Sequence, residues 1–297
     1  MRRREPDELP KPTPPPRLHI LQAPRAHVAV LFRRGPSKRT EVVRWDVRAD
    51  TFERGHWFAG RIYERRSDLS PDGRLLVYFA NKYGDRRAIE GGYTETWTAV
   101  SRPPWLTALA LWPKGDAWRG GGLWLGDRTL RLNHWPAEAT PHPKHRPRGL
   151  VVEPDPAAHG EDDPLYSARL DRDGWALAQD WELEMLGWNE FYVTRAPQVR
   201  LKRHPARPFS VEMQRRIDRL KYREAFRVLG PEGEAALPPG RIDWVDWDST
   251  GRLLVLVDGT LRVAAVGERA IGEYLTLADF GPDRPERRVA PGAARVW

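Results

Sequence analysis

Two aspartates hold matching positions in a repeated sequence pattern. The segment Leu69-Ser-Pro-Asp-Gly73 aligns on its glycine with Trp247-Asp-Ser-Thr-Gly251, and this alignment places Asp68 opposite Asp246. Paired carboxylates can act as general acid and as nucleophile or base in glycoside hydrolysis. One hypothesis is therefore a glycan-active or other hydrolase that uses both aspartates in one funnel. Undiminished turnover after their joint replacement by asparagine would dispose of it.

The same two positions also fit a structural role. Two weaker copies of the pattern, at 111–115 and 170–174, carry Ala110 and Arg169 where the aspartates stand. An aspartate near the end of a strand commonly accepts hydrogen bonds from its own backbone and so forms a turn. We therefore favour turn formation over catalysis for Asp68 and Asp246.

A second candidate for function is the basic region between residues 195 and 223. Its arginines and lysines could contact phosphate groups or an acidic partner. The side chains that we single out are Lys202, Arg203, Arg215, Arg216, Arg219 and Arg223. Acidic residues are interleaved with them, as on a solvated surface. Nucleic-acid or polyanion binding through this region is the alternative function, and it predicts an affinity that falls steeply with salt.

The charge of the whole chain gives this alternative limited support. The formal net charge is +8, and only seven of the 49 basic residues are lysines. The 41 acidic residues are spread among the basic ones, and net charge bears on solubility before it bears on partners.

The sequence offers no motif for a metal or a cofactor. Cysteine is absent, which excludes disulfides and thiolate ligands and gives no reason to expect an oxidising compartment. His142 and His145 lie in a proline-rich stretch without a helix to fix their geometry. No phosphate-binding loop, nucleophile elbow or dinucleotide fingerprint occurs. We expect a cytoplasmic protein without metal, cofactor or membrane segment, since no apolar run approaches the ~18 residues that a membrane helix needs.

The elements that would position these residues follow from the repeated turn. Glycines at 35, 73, 115, 174 and 251 close successive copies and stand 38, 42, 59 and 77 residues apart. A four-stranded propeller blade takes about 40 to 45 residues. The two long intervals contain a loop insertion at 134–163 and a second insertion at 205–224. We predict an all-β fold, a single β-propeller of about five blades, with six as the alternative.

Two further patterns refine this prediction. Residues 75–80 and 253–257 are apolar at every position, so both faces of these strands must be covered. Phe209, Met213, Ile217 and Leu220 are spaced by four, four and three residues, which predicts a short helix over 210–225 within the second insertion. We expect tryptophans such as Trp112 and Trp247, beside the repeat turns, to pack between blades.

The amino-acid sequences of the repeats resemble those of known propellers. SPDGRLLVY at 70–78, its echo STGRLLVLV at 249–257 and Trp45-Asp46 are similar to WD40-like and TolB-like repeats. The segments at 27–37, 61–73 and 101–116 resemble a bacterial family to which we attach no activity. The resemblance implies a propeller, although the chain lacks the regular Gly-His dipeptide of WD40 repeats.

These observations predict the following organisation. Residues 1–16 form a disordered, basic, proline-rich tail, and 17–297 form the propeller domain. Repeats without a catalytic signature favour a non-catalytic cytosolic scaffold that binds a protein partner. The sequence leaves open whether residues 18–21 close the ring by pairing with residues 275–277.

Overall fold

The computed structural model describes residues 13–35, 38–84, 89–186, 191–219 and 221–297. Its 22 strands form five separate sheets, and every strand pair is antiparallel except β10–β11. The mostly β class is thus confirmed. Most of the predicted tail, and Leu220 of the predicted helix, lie outside the described residues. Strands β1 and β22, which contain residues 18–21 and 275–277, pair with β2 and β21 and not with each other.

The first, second and third sheets follow the chain in order. The first sheet contains β1 to β4, at Arg17–Gln22, Val28–Arg34, Arg39–Asp46 and Thr51–Ala59. The second contains β5 to β8, at Arg61–Leu69, Leu76–Asn81, Thr96–Ser101 and Ala110–Pro113. The third contains β9 to β11, at Gly122–Trp124, Thr129–Leu132 and Val151–Pro154.

The fourth sheet is larger and its strand order departs from the chain order. Its strands β12 to β18 lie at Ala176–Gln179, Glu182–Leu186, Phe191–Ala196, Gln198–Arg203, Ser210–Arg219, Lys221–Gly230 and Gly233–Ala235. The order is β12-β15-β16-β14-β13, and β17 joins β16 to β18. The fifth sheet contains β19 to β22, at Ile242–Trp247, Leu253–Val257, Thr260–Ala264 and Leu275–Asp279.

The hydrophobic core lies between neighbouring sheets. One cluster, which includes Val43 and Val255, joins the first, fourth and fifth sheets. A second, around Phe32, joins the first and second sheets, and a third, around Trp124, joins the second and third. Every residue of β6 and β20 is buried, as their continuous apolar sequences predict. The sheets therefore stabilise one another through their faces.

The repeated turn is confirmed at two places. Gly73 and Gly251 both have positive φ, +72° and +84°, and their N–H groups donate to the carbonyl oxygens of Ser70 and Asp248 at 2.8 and 2.9 Å. Each turn joins the first two strands of a sheet, β5 to β6 and β19 to β20. Glycine suits this backbone conformation because it has no Cβ.

The copy at 170–174 is not a strand turn. It ends helix α1, Asp163–Arg172, and Gly174 follows in the left-handed conformation that often terminates a helix. The predicted loop insertion at 134–163 is irregular except for a 3-10 turn at Pro136–Glu138, strand β11 and the first residue of α1.

The predicted helix over 210–225 is wrong. Strands β16 and β17 form an antiparallel hairpin there, with Ser210 opposite Leu229 and Asp218 opposite Lys221. The stripe at 209, 213 and 217 has even spacings, so it fits a strand as well as a helix. Val211, between two stripe positions, is fully buried and fits only the two-residue period of a strand.

The triple glycine at 120–122 allows two sheets to approach closely. A Cβ on Gly121 would lie 2.2 Å from the carbonyl oxygen of Arg66, and one on Gly120 would lie 2.4 Å from the Phe79 ring. The predicted burial of the tryptophans beside the repeat turns is confirmed, since Trp112 and Trp247 are 1% and 4% exposed.

Candidate functional site

Three strands from different sheets lie side by side. Strand β1 contacts both β5 and β19. Residues near the starts of all three line one cavity, and residues near their ends line another. The three strands therefore run in the same direction between two openings.

We name the two cavities by these strand ends. The strand-start cavity has a volume of about 710 Å³ and its walls include Arg17 of β1, Arg61 of β5 and Asp243 of β19. The strand-end cavity has a volume of about 420 Å³ and its walls include Gln22 of β1, Asp68 of β5 and Asp246 of β19. The structure thus brings the two candidate acids to one cavity, as the alignment of their repeats predicts.

Helix α1 extends from one cavity to the other. Asp162, which precedes the helix, lines the strand-start cavity, whereas Arg169 and Arg172 in its last turn line the strand-end cavity. The helix contacts β5 and β9. It therefore lies along the inner strands and separates the two openings.

Asp68 is held by the helix and by the third sheet. Its Oδ2 accepts hydrogen bonds from Arg172 Nη1 at 2.6 Å and from the Trp124 backbone N–H at 2.8 Å. Its Oδ1 accepts one from Arg172 Nη2 at 3.0 Å. The side chain is 2% exposed. Burial raises the pKa of Asp68 above its ordinary value, and the Arg172 guanidinium opposes that shift.

Asp246, at the end of β19, is held in a similar way. Lys202 Nζ lies 2.7 Å from its Oδ1, and Gln22 Nε2 donates to its Oδ2 at 3.2 Å. The Trp247 backbone N–H donates to Oδ1 at 2.7 Å. The side chain is 6% exposed. Burial raises the pKa of Asp246 as well, against the effect of Lys202.

This geometry does not suit catalysis by the two carboxylates. Both are almost inaccessible to a substrate, and each is neutralised by a cation and hydrogen-bonded through both oxygens. A general acid or a nucleophile must reach the proton or the atom that it acts on. Asp68 instead crosslinks β5, β9 and α1, and Asp246 crosslinks β19 to β15 through Lys202.

A ladder of arginine and aromatic side chains fixes α1 in place. The Tyr166 ring of α1 lies between Arg65 and Arg215, whose Cζ atoms are 5.1 and 4.7 Å from its centroid. Arg65 also faces the Tyr222 ring at 5.1 Å, and Arg215 faces the Trp181 ring at 4.7 Å. Stacking of guanidinium groups on aromatic rings contributes favourably, more so where water is excluded. The ladder joins the second and fourth sheets through the helix.

Arg215, the first of the predicted polyanion contacts on β16, belongs to this ladder and is 1% exposed. It donates to Asp163 Oδ1 at 2.5 Å and to Gln198 Oε1 at 2.6 Å. The charge of Arg215 is therefore paired within the protein. The prediction that Arg215 faces a polyanion from a helical surface is wrong, because alternation along β16 turns this residue inward.

The other predicted cations fall into two groups. Lys202 and Arg203 line the strand-end cavity, and Arg203 is exposed. Arg216, Arg219 and Arg223 are exposed on the β16–β17 hairpin, and Arg223 also lines the strand-start cavity. The basic region therefore does not form one continuous surface.

Sequence reasoning missed helix α1 and the residues that it brings to the cavities. The sequence contains an ordinary helix signal here. It has Pro164 in the first turn and Gly174 after the end, and its buried side consists of Leu165, Tyr166, Arg169 and Leu170. Arg172 lies 104 residues from its partner Asp68, so no local pattern identifies their pairing.

Within the described ranges no three metal-ligating side chains cluster, and no helix is long and apolar enough to cross a membrane. His142 stacks on Tyr93 with ring centroids 4.1 Å apart, and the Tyr93 hydroxyl lies 2.9 Å from His145 Nε2. Both histidines of the proline-rich stretch thus take part in side-chain packing.

Comparison of the chain with protein-family models, with curated proteins and with solved structures finds no match.

Proposed function

We propose that this protein is a non-catalytic cytosolic scaffold of the propeller type and that it binds a protein partner at the strand-end cavity. In this proposal the five sheets act as five blades, and α1 occupies the space between their inner strands. The contacts of β1 with β5 and β19, and of β5 with β9, support such an arrangement.

The observation that carries the proposal is the state of the two acids in the strand-end cavity. Asp68 and Asp246 are each paired with a cation and hydrogen-bonded by backbone N–H groups. Acids fixed in this way carry no free reactive group and hold the walls of the cavity in one arrangement. The cavity is thus suited to binding without chemistry.

The composition of this cavity favours a polypeptide over a polyanion. Its walls include four basic and four acidic side chains, so it offers no excess of positive charge. The apolar part of the lining includes Leu21, Trp175 and Trp247. A peptide segment with both apolar and polar groups suits walls of this mixed composition.

The rim residues allow a direct test. Arg203 and Pro205 are exposed at the cavity, so Arg203→Glu with Pro205→Glu should alter the binding surface and spare the core. Arg48→Glu with Ala49→Glu makes a matched change at an exposed turn elsewhere.

Affinity purification from native cells should recover one partner with the wild type and with the Arg48/Ala49 variant. Recovery should fall at least tenfold with the Arg203/Pro205 variant. The proposal is wrong if no protein is recovered with the wild type, or if both variants recover the partner equally.

A further inference from the structure

The strand-start cavity carries more positive charge than negative charge. Its walls hold seven arginine or lysine side chains and five aspartate or glutamate side chains. The pairing of these groups decides whether the excess is available to a ligand.

Each acidic side chain in these walls already has an arginine partner. The shortest pairs are Glu64–Arg34 at 2.5 Å, Glu224–Arg65 at 3.0 Å, Asp243–Arg241 at 3.1 Å, Asp162–Arg66 at 2.7 Å and Glu161–Arg66 at 3.6 Å. Four arginines thus neutralise four of these five carboxylates, and Glu161, which shares Arg66 with Asp162, keeps one negative charge at the opening.

Four cations remain at the cavity after this pairing. Arg17, Arg61, Lys221 and Arg223 are exposed. No carboxylate in the described part of the chain forms a salt bridge with them, although Asp218 lies opposite Lys221 in the hairpin register. They come from β1, β5 and β17, which belong to three different sheets. Residues far apart in sequence thus converge on one concave surface, and this distinguishes the cluster from a solvated basic strand.

A strand register adds a second observation. Arg223 on β17 lies directly opposite Arg216 on β16. Like charges at opposite positions of neighbouring strands are destabilising. An anion bound beside Arg223 would relieve this repulsion.

We propose that the strand-start cavity binds a compact anion with several phosphate groups, held by Arg17, Arg61, Lys221 and Arg223. Guanidinium groups donate in pairs to phosphate oxygens, and lysine adds a point charge. The volume of about 710 Å³ falls in the usual range for small-molecule sites. Convergence on one cavity favours a compact ligand, because a nucleic-acid strand needs cations spread along a groove. This site lies at the opposite end of α1 from the proposed protein site and is independent of it.

Calorimetric titrations of the full chain at low salt test this assignment. The probes are orthophosphate, inorganic tripolyphosphate, ATP, inositol hexakisphosphate and a 20-nucleotide single-stranded DNA. We expect tripolyphosphate to bind at least tenfold more tightly than orthophosphate, because several cations can then act on one ligand. Tighter binding of ATP or of inositol hexakisphosphate than of tripolyphosphate would distinguish a nucleotide or a cyclitol phosphate as the natural source.

Two charge-matched variants locate the site. Arg17→Glu with Arg223→Glu reverses two cavity cations, whereas Arg48→Glu with Arg148→Glu reverses two exposed arginines that do not line the cavity. Both variants change the net charge equally, so a general electrostatic effect would weaken binding equally. We expect at least a tenfold loss of affinity for tripolyphosphate in the first variant and less than a twofold loss in the second.

A milder variant, Arg61→Gln with Lys221→Gln, should also weaken binding, and it provides a test if the charge reversals disturb folding. Absence of saturable binding to the wild type overturns the proposal. So does an equal loss in the two charge-reversed variants, or a DNA affinity that exceeds every compact anion and responds equally to both.

Discussion

Arg172 in the last turn of α1 holds both carboxylate oxygens of Asp68 at the end of β5, with hydrogen bonds of 2.6 and 3.0 Å. The pair spans the wall of the strand-end cavity and ties the helix to the second sheet. Since the Trp124 backbone also donates to Asp68, one carboxylate joins three elements. The residue that the repeat pattern offers as a catalyst is therefore a structural crosslink.

We expect Asp68→Ala to lower the free energy of unfolding by about 3 kcal/mol, because it removes the buried carboxylate that accepts from both Nη atoms of Arg172. Asp173 is then the only ion-pair partner of Arg172 among the described residues. Urea denaturation of the wild type and the variant measures this difference. Asp127→Ala is the control, since it breaks the more exposed Arg25–Asp127 pair at 2.6 Å, for which a change of no more than about 1 kcal/mol is expected. Equal effects of the two substitutions would contradict a crosslinking role for Asp68.

The hydroxyl group and the ring of Tyr166 should contribute oppositely to stability. The Tyr166 hydroxyl is buried without a hydrogen-bond partner, so Tyr166→Phe should leave stability unchanged or raise it by about 1 kcal/mol. Tyr166→Ala removes the ring between Arg65 and Arg215 and should cost about 3 to 5 kcal/mol. Chemical denaturation compares the two variants, and a Phe variant as unstable as the Ala variant would show that the hydroxyl, not the ring, matters.

His134 should make the protein less stable as the pH falls from 6.5 to 4. Burial lowers the pKa of His134 to about 4, whereas an unfolded histidine titrates near 6.5. Below pH 6.5 the unfolded state binds the extra proton first, so His134 costs the folded state about 3 kcal/mol by pH 4.

His19 acts with the same sign, since burial, followed by the charge of Arg169, lowers its pKa. The unfolding free energy, measured from pH 4 to 7, should therefore depend less steeply on pH in His134→Gln than in the wild type. His159→Gln changes an exposed histidine and should keep the wild-type slope. An unchanged slope in the His134 variant would contradict the prediction.

The close approach of the second and third sheets makes Gly121 sensitive to a single methyl group. Gly121→Ala places a Cβ 2.2 Å from the Arg66 carbonyl oxygen at a residue with φ +85°, so we expect a loss of about 3 kcal/mol. Gly292→Ala introduces the same group into open space and should change stability by no more than about 0.5 kcal/mol. Thermal unfolding of both variants measures the contrast, and similar melting temperatures would contradict it.

The sequence predicts the features that depend on local pattern. The apolar runs of β6 and β20 identify strands buried on both faces. The turns at Gly73 and Gly251 identify the hairpins β5–β6 and β19–β20, to which these strands belong. Asp68 and Asp246 are correctly placed in one cavity, because equivalent positions in two repeats lie at equivalent ends of their strands.

The errors arise where two periods coincide or where distant residues pair. The stripe at 209, 213 and 217 fits both a helix and a strand, and only burial of Val211 and Arg215 distinguishes them. The partners of Asp68 and Tyr166 lie in other secondary-structure elements, so their roles depend on tertiary packing that a single sequence does not encode locally.

Site-specific photocrosslinking in native cells tests most directly whether the strand-end cavity binds a protein. A photoreactive residue in place of Pro205, at the cavity rim, is compared with one in place of Arg148, an exposed position that does not line the cavity. The proposed function predicts one discrete crosslinked protein from position 205, lost on Arg203→Glu, and none of it from position 148. No adduct from position 205, or the same adducts from both positions, would contradict it.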